Sequence, residues 1–131
     1  MKKAKGIDGK LDKYWSLVVR ERANNKCQIE NCTFSQKQVH AHHIFSRANK
    51  SVRWDPDNGI SLCPGHHVYS SKFSAHQTPT DFTYYLEQRL GRDFLDKLSY
   101  NAHQIAKWSD DEKQTMLDAL ISEHKSLLKK K

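Results

Sequence analysis

The chain has 131 residues, 37% of them hydrophobic, which is enough for one core of ordinary size and favours a single domain over residues 1–131. Lys and Arg number 22 against 15 Asp and Glu, and the formal net charge of +7 favours a polyanionic partner such as nucleic acid or an anionic membrane surface. No apolar run reaches the roughly 18–20 residues of a membrane span, and no apolar segment follows the basic N-terminus, so we expect a cytoplasmic protein.

Residues 1–26 are expected to comprise a loose tail and one helix. The first ten residues are rich in Lys and Gly, which disfavours regular structure. Apolar residues then recur at helical spacing within Leu11–Ala23. This segment therefore predicts an amphipathic helix that ends near the pair Asn24-Asn25.

Residues 27–77 are expected to contain short strands and loops. The helical period disappears here, and two segments are typical of strands, QVHAHHI at 38–44 and GISLC at 59–63. All three cysteines lie in this part of the chain. Their odd number excludes a complete disulfide framework and favours metal binding or catalysis in a reducing compartment.

The cysteines and one histidine have the spacing of a structural zinc site. Cys27 and Cys32 are separated by four residues, which suits a tight knuckle. Cys63 and His66 follow at a C-x-x-H spacing, so the set supplies the four ligands of tetrahedral zinc. Such a site can supply folding free energy where the core is small. The alternatives are free thiols with a buried, apolar Cys63, or a Cys27–Cys32 disulfide.

Residues 78–131 are expected to form a helical extension. The segment 78–91 combines a Thr cap, a Pro at the first helical position and a Gly stop. The segment 92–108 is moderately periodic in its apolar residues. The last segment opens with a capping box of Ser109 and Glu112 and ends in a basic tail that complements the helix dipole.

The central segment resembles the HNH endonucleases of the ββα-metal superfamily. After the first two cysteines the chain reads VHAHHIFSR at 39–47 and WDPDNGISLCPGHH at 54–67. The order of a Cys pair, HHI, DN, LC and a final histidine pair is similar to the zinc-knuckle subgroup and to small phage-type members. The resemblance covers about residues 27–79 and departs from the family at His66, where the family has its last cysteine. It implies an α+β fold in which a ββα-metal core with a zinc knuckle is flanked by an N-terminal helix and C-terminal helices.

The resemblance also implies a metal-dependent nuclease that hydrolyses DNA phosphodiester bonds. His43 would be the general base, and Asn58 would clamp the loop and hold the base imidazole in its working tautomer. His42 and His67 would bind one divalent ion, Mg²⁺, Mn²⁺, Ni²⁺ or Zn²⁺. The adjacent His66 and His67 would serve different ions, since neighbouring side chains on a helix diverge by about 100°.

Two more histidines are candidates for the catalytic ion. His76 is a possible third ligand, but it lies nine residues after His67 and would need a break in the helix. His40 lies on the same strand face as His42 and is either a rival ligand or a polar strand residue, of which we favour the latter.

The expected substrate is double-stranded DNA, bound with low sequence specificity because nothing in the sequence resembles a major-groove reading module. The basic residues flanking the site are candidates for phosphate contacts: Arg47, Lys50, Arg53 and Lys72. A homodimer or a phage protein partner, and the host cytoplasm for a phage-encoded protein, are further expectations. The alternative function is a non-catalytic, zinc-stabilised nucleic-acid-binding module, against which the intact set of HNH residues speaks.

Overall fold

A two-stranded antiparallel sheet and four α-helices make up the regular structure of residues 5–32 and 38–130, the part of the chain that the computed structural model describes. The elements are α1 (Gly6–Arg22), β1 (His40–His43), β2 (Gly59–Leu62), α2 (Pro79–Leu90), α3 (Arg92–Ala102) and α4 (Asp110–Lys129). A 3-10 turn at Pro56–Asn58 precedes β2, and a π-helical turn at Gly65–Tyr69 follows it. The predicted α+β class is confirmed.

The two strands form a hairpin with a long connection. His40 pairs with Leu62 and His43 with Gly59, and residues 44–58 link the strands. Both strands lie within the predicted segments and are shorter than those segments. Because side chains alternate along a strand, the residues of β1 are presented to two different parts of the molecule.

Helix α1 begins at Gly6, so the prediction of a loose tail is wrong from that residue onward, and residues 1–4 lie outside the described part. The first turn is held by Ile7, which packs on the apolar core, and by Asp8, whose carboxylate is 2.8 Å from the Lys113 ammonium of α4. The helix ends as predicted, since Asn24 and Asn25 adopt left-handed φ angles of 54° and 56°.

One apolar cluster joins α1 to α4. Its buried members are Leu11, Trp15, Val18, Val19, Trp54, Leu117 and Leu120. Helix α1 also lies directly against the start of β2, because a Cβ atom at Gly59 would come within 2.5 Å of a Val19 methyl carbon and 2.9 Å of the Trp15 ring. Only glycine allows this close approach, which places α1 beside the hairpin.

The C-terminal helices follow the sequence signals with two differences. Helix α2 stops as predicted, with Gly91 as its C-cap at a φ of 87°. At the other end of the helix, the Thr78 hydroxyl bonds to Ser74 and does not cap the helix. The capping box of Ser109 and Glu112 is present at the start of α4. Helix α3 stops at Ala102, well before the end of the periodic segment. None of the helices in the described residues is long and apolar enough to cross a membrane.

Candidate metal centres and active site

Three thiols and one imidazole converge at the junction of α1, β2 and the π-helical turn. The candidate ligand atoms of Cys27, Cys32, Cys63 and His66 all lie within 4.8 Å of one another. Nδ1 of His66 is 3.4 Å from each of the three sulfur atoms, and Sγ of Cys32 is 3.7 Å from Sγ of Cys63. A zinc tetrahedron with Zn–S of about 2.3 Å and Zn–N of about 2.0 Å places its ligand atoms about 3.5–3.8 Å apart. The donor set therefore fits structural zinc in both chemistry and spacing.

Local backbone geometry aims these ligands at one point. Asn31 adopts a φ of 57° and reverses the chain between Cys27 and Cys32. Burial raises the pKa of the Cys27 thiol to about 12, so the protein alone keeps this thiol protonated at neutral pH. Because zinc binds thiolates, metal binding at this set must release protons.

A second cluster consists of imidazoles alone. The candidate ligand nitrogens of His42, His67 and His76 lie within 4.8 Å of one another. The rings of His67 and His76 are perpendicular, with centroids 4.6 Å apart, and the His42 centroid is 5.1 Å from that of His67. The adjacent histidines of LCPGHH thus divide between the two clusters.

The π-helical turn brings His76 to the second cluster. The π-helical turn ends at Tyr69. The chain then turns back, and the backbone N–H of His76 donates to the carbonyl of His67 at 3.0 Å. This is the helix break that a ligand nine residues after His67 requires.

Two imidazoles of this cluster, those of His42 and His67, are held in their neutral form. Burial, reinforced by the neighbouring histidines, lowers the pKa of His42 to about 3 and that of His67 to about 4. At neutral pH these rings carry no charge, and each has one nitrogen lone pair for a metal ion. Together with His76 they form a three-imidazole donor set that suits several divalent transition metals.

His40 contacts this cluster as well. Its Nδ1 is 2.9 Å from Nδ1 of His67, and the two rings meet edge to face. One of the two nitrogens must carry the proton of this hydrogen bond, so His40 constrains the tautomer of His67. The favoured interpretation of His40 as a polar strand residue therefore omitted a specific contact.

His43 lies on the other face of β1 and does not join the three-imidazole cluster. Its ring stacks on the indole of Trp15, with centroids 3.7 Å apart and planes 5° apart. Its Nε2 is 2.9 Å from the carbonyl oxygen of Arg53. Since a carbonyl only accepts hydrogen bonds, Nε2 carries the proton of neutral His43 and Nδ1 carries the lone pair. Burial lowers the pKa of His43, which favours this neutral form.

Asn58 is fully buried and fixes the connection between the strands. Its side-chain oxygen accepts from Phe45 N–H at 2.7 Å, and its amide donates to the carbonyls of Phe45 at 2.9 Å and Val52 at 3.2 Å. These bonds close the loop onto itself. The His43 imidazole donates its orienting hydrogen bond to the Arg53 carbonyl, whereas the sequence interpretation assigned the orienting role to Asn58.

The four basic candidates have different surroundings. Arg53 is 12% exposed at its side chain and pairs with Asp12, which leaves it little access to a substrate. Arg47 lines a groove of about 570 Å³ beside His43, and its guanidinium is 3.3 Å from Asp12. Lys50 and Lys72 are exposed.

The sequence interpretation missed Asp12 and Trp15 as neighbours of the site. Trp15 was counted only as an apolar position of the first helix, and Asp12 lies on that helix with no recognisable motif around it. Both are about thirty residues before His43 in the chain, so only tertiary packing brings them there.

The central part of the chain, which carries both ligand clusters, matches a known protein family. Residues 27–76 match the family model described as HNH endonuclease. The predicted HNH resemblance is confirmed for this segment. The match covers less than half of the chain but includes both ligand sets, His43 and Asn58. No curated protein and no solved structure matches the chain.

The HNH segment indicates a nuclease with metal binding. Helix α1 and the C-terminal helices lie outside the segment. The zinc-knuckle subgroup and the likeness to small phage proteins stay predictions.

Proposed function

We propose that the protein is a metal-dependent endonuclease that hydrolyses phosphodiester bonds of DNA through its HNH segment. The observation that carries the proposal is the cluster of His42, His67 and His76 next to a neutral His43 in β1, within residues that match the HNH family. A set of metal ligands beside a histidine that can accept a proton is what phosphodiester hydrolysis requires.

His43 acts as the general base in this proposal. Its Nδ1 accepts a proton from the attacking water, while its Nε2–H stays bonded to the carbonyl of Arg53. The stacked indole of Trp15 covers one face of the ring and keeps the imidazole from rotating away. The base is thus presented in one tautomer and one orientation.

His42, His67 and His76 would hold the catalytic divalent ion. Bound there, the ion would supply Lewis-acid stabilisation of the charge that develops on the phosphate and on the leaving oxygen. His40 would orient His67 through the bond between their Nδ1 atoms. Cleavage would leave a 5′-phosphate and a 3′-hydroxyl, as the family resemblance implies.

Cys27, Cys32, Cys63 and His66 would hold a structural zinc ion. This zinc site would join the chain before β1, at Cys27 and Cys32, to the chain after β2, at Cys63 and His66. Since His66 and His67 are consecutive, a rigid zinc site would also fix the position of one catalytic ligand.

Double-stranded DNA is the proposed substrate, bound mainly through its phosphates. The net charge of +7 favours such binding, and Arg47, Lys50 and Lys72 are the candidates for direct contacts. Arg53, which pairs with Asp12, has a structural position instead. A homodimer would suit an enzyme that cuts both strands.

Plasmid nicking tests the proposal. Purified wild type would be assayed with Mg²⁺, Mn²⁺, Ni²⁺ and Zn²⁺ beside His43→Ala. His103→Ala is the matched control, because that histidine is exposed and its ring bonds to the carbonyl of Ser99 in the preceding helical turn. We expect His43→Ala to lose about 10²–10⁴ of the rate and His103→Ala to retain it. Wild type no faster than His43→Ala would instead support the non-catalytic nucleic-acid-binding module.

A further inference from the structure

Helix α1 lies outside the HNH segment, yet it contacts the loop that carries the base partner. The carboxylate of Asp12 accepts four hydrogen bonds. Nε and Nη2 of Arg53 lie 3.1 and 2.7 Å from its two oxygens, Nε1 of Trp54 lies at 2.8 Å, and Nη2 of Arg47 lies at 3.3 Å. One residue of α1 therefore holds three side chains of the loop at 44–58.

The contact between Asp12 and Arg53 fixes the orientation of the Arg53 side chain. A guanidinium bonded through two nitrogens to two carboxylate oxygens is fixed in both distance and plane. The Arg53 side chain is 12% exposed and that of Asp12 is 28% exposed, so the pair is partly shielded from solvent. The same residue, Arg53, presents the carbonyl that accepts from Nε2 of His43 at 2.9 Å. Asp12 is thus connected to the base through a single residue.

Trp15 reinforces the same arrangement from the next turn of α1. Its indole is 3% exposed, donates from Nε1 to the carbonyl of Asp55 at 2.8 Å and stacks on the His43 ring. Contacts with α1 therefore fix both the ring plane of His43 and the Arg53 carbonyl that accepts from its Nε2. The position of the base depends on α1 being docked in this way.

We propose that Asp12 is a positioning residue for the general base, acting through Arg53 to hold the carbonyl that selects the Nε2–H tautomer of His43. The inference rests on the proposed function insofar as His43 is the base. In this role Asp12 acts through Arg53 and not on the substrate directly. Its carboxylate fixes a loop, and the loop fixes the tautomer.

A second ion pair on α1 offers a matched control. Asp8, one turn before Asp12, lies 2.8 Å from the ammonium of Lys113 on α4. Within residues 5–32 and 38–130, no hydrogen bond or ion pair joins the Asp8 carboxylate to His43 or to the loop at 44–58. Asp8→Asn and Asp12→Asn each remove one partly buried carboxylate charge from the same helix. If Asp12 served stability alone, folded Asp12→Asn would keep the kcat and the His43 tautomer of the wild type, as Asp8→Asn does.

The kinetic test compares these variants on plasmid DNA. Asp12→Asn is expected to lower kcat by about 10–100-fold while KM stays within about threefold, since a group that supports a catalytic residue typically acts on that scale. Asp8→Asn is expected to keep kcat within about twofold. Arg53→Lys, which keeps the charge but loses the two-point contact, should reproduce the Asp12→Asn loss even where Asp12→Asn folds poorly.

An NMR measurement tests the inference without relying on cleavage. Long-range ¹⁵N–¹H spectra report which nitrogen of His43 is protonated. We expect the Nε2–H tautomer alone in wild type and in Asp8→Asn, and a mixture of both tautomers in Asp12→Asn and Arg53→Lys. If Asp12→Asn and Arg53→Lys both kept the wild-type tautomer of His43 and the wild-type kcat, the positioning role would be overturned. A wild type that cuts no DNA would overturn the proposed function only, and the NMR result would then decide the role of Asp12.

Discussion

His66 and His67 are consecutive residues with opposite surroundings. His66 is buried, with its Nδ1 at 3.4 Å from the three cysteine sulfurs, whereas His67 contacts His40, His42 and His76. The backbone of the π-helical turn sends the two side chains in different directions. A substitution at either position should therefore affect one ligand set and spare the other.

The pair gives a direct prediction at the residue scale. His66→Ala should lower the zinc content of the purified protein and destabilise its fold, because it removes one of four ligands from the buried set. His67→Ala should keep the zinc and the fold but bind Mn²⁺ or Ni²⁺ more weakly and cut DNA poorly. Metal analysis, thermal unfolding and calorimetric titration separate the two effects. Equal zinc loss in both variants would contradict the division between two sites.

At the element scale, α1 determines how the hairpin is presented. The strands carry the histidines, but Trp15 and Asp12 of α1 set the surroundings of His43. The helix reaches this position because Gly59 has no side chain at the crossing point. The close approach of α1 and β2 is therefore a structural condition for the site.

Gly59→Ala tests this packing. A Cβ atom there would lie 2.5 Å from a Val19 methyl carbon, so the helix or the strand has to shift. We expect a loss of about 1–3 kcal/mol in the free energy of unfolding, which urea denaturation would measure. The double variant with Val19→Ala should lose less than the sum of the two single losses, because Val19→Ala removes the nearest clashing atoms. Strictly additive losses in the double variant would argue against direct contact at this point.

At the scale of the whole molecule, the ionisation of the histidine cluster links stability to pH. The pKa values of His42 and His67 are about 3 and 4 in the folded protein, below the ordinary value of about 6.5. The unfolded chain therefore binds protons on acidification before the folded protein does. The free energy of unfolding should fall as the pH drops from about 6.5 towards 4.

Urea denaturation at pH 7 and pH 5 without added divalent ion would measure this loss. His42→Gln should show a smaller pH dependence than wild type, since the histidine with a folded-state pKa of about 3 is gone. Zinc content is determined at both pH values, so that loss of the thiolate site is not mistaken for histidine protonation. A wild type with the same pH dependence as His42→Gln would contradict the coupling.

The sequence by itself determined the parts of the protein that depend on local spacing. Cys27, Cys32, Cys63 and His66 have the spacing of one ligand set, and the strands, the cap of α4 and the stop at Gly91 follow from short-range signals. These features are readable because the interacting groups lie close together in the chain or follow a recurrent pattern. The single-domain organisation of residues 1–131 stays a prediction.

Only the tertiary structure decided which distant residues meet at the site. His76 joins His67 because the chain turns back after a π-helical turn, a conformation that no regular periodicity signals. Trp15 reaches His43, and Asp12 reaches Arg53, because an apolar helix face docks beside a glycine at the start of β2. Such contacts depend on the packing of whole elements, and packing is settled by the combined burial of many side chains rather than by the spacing of a few.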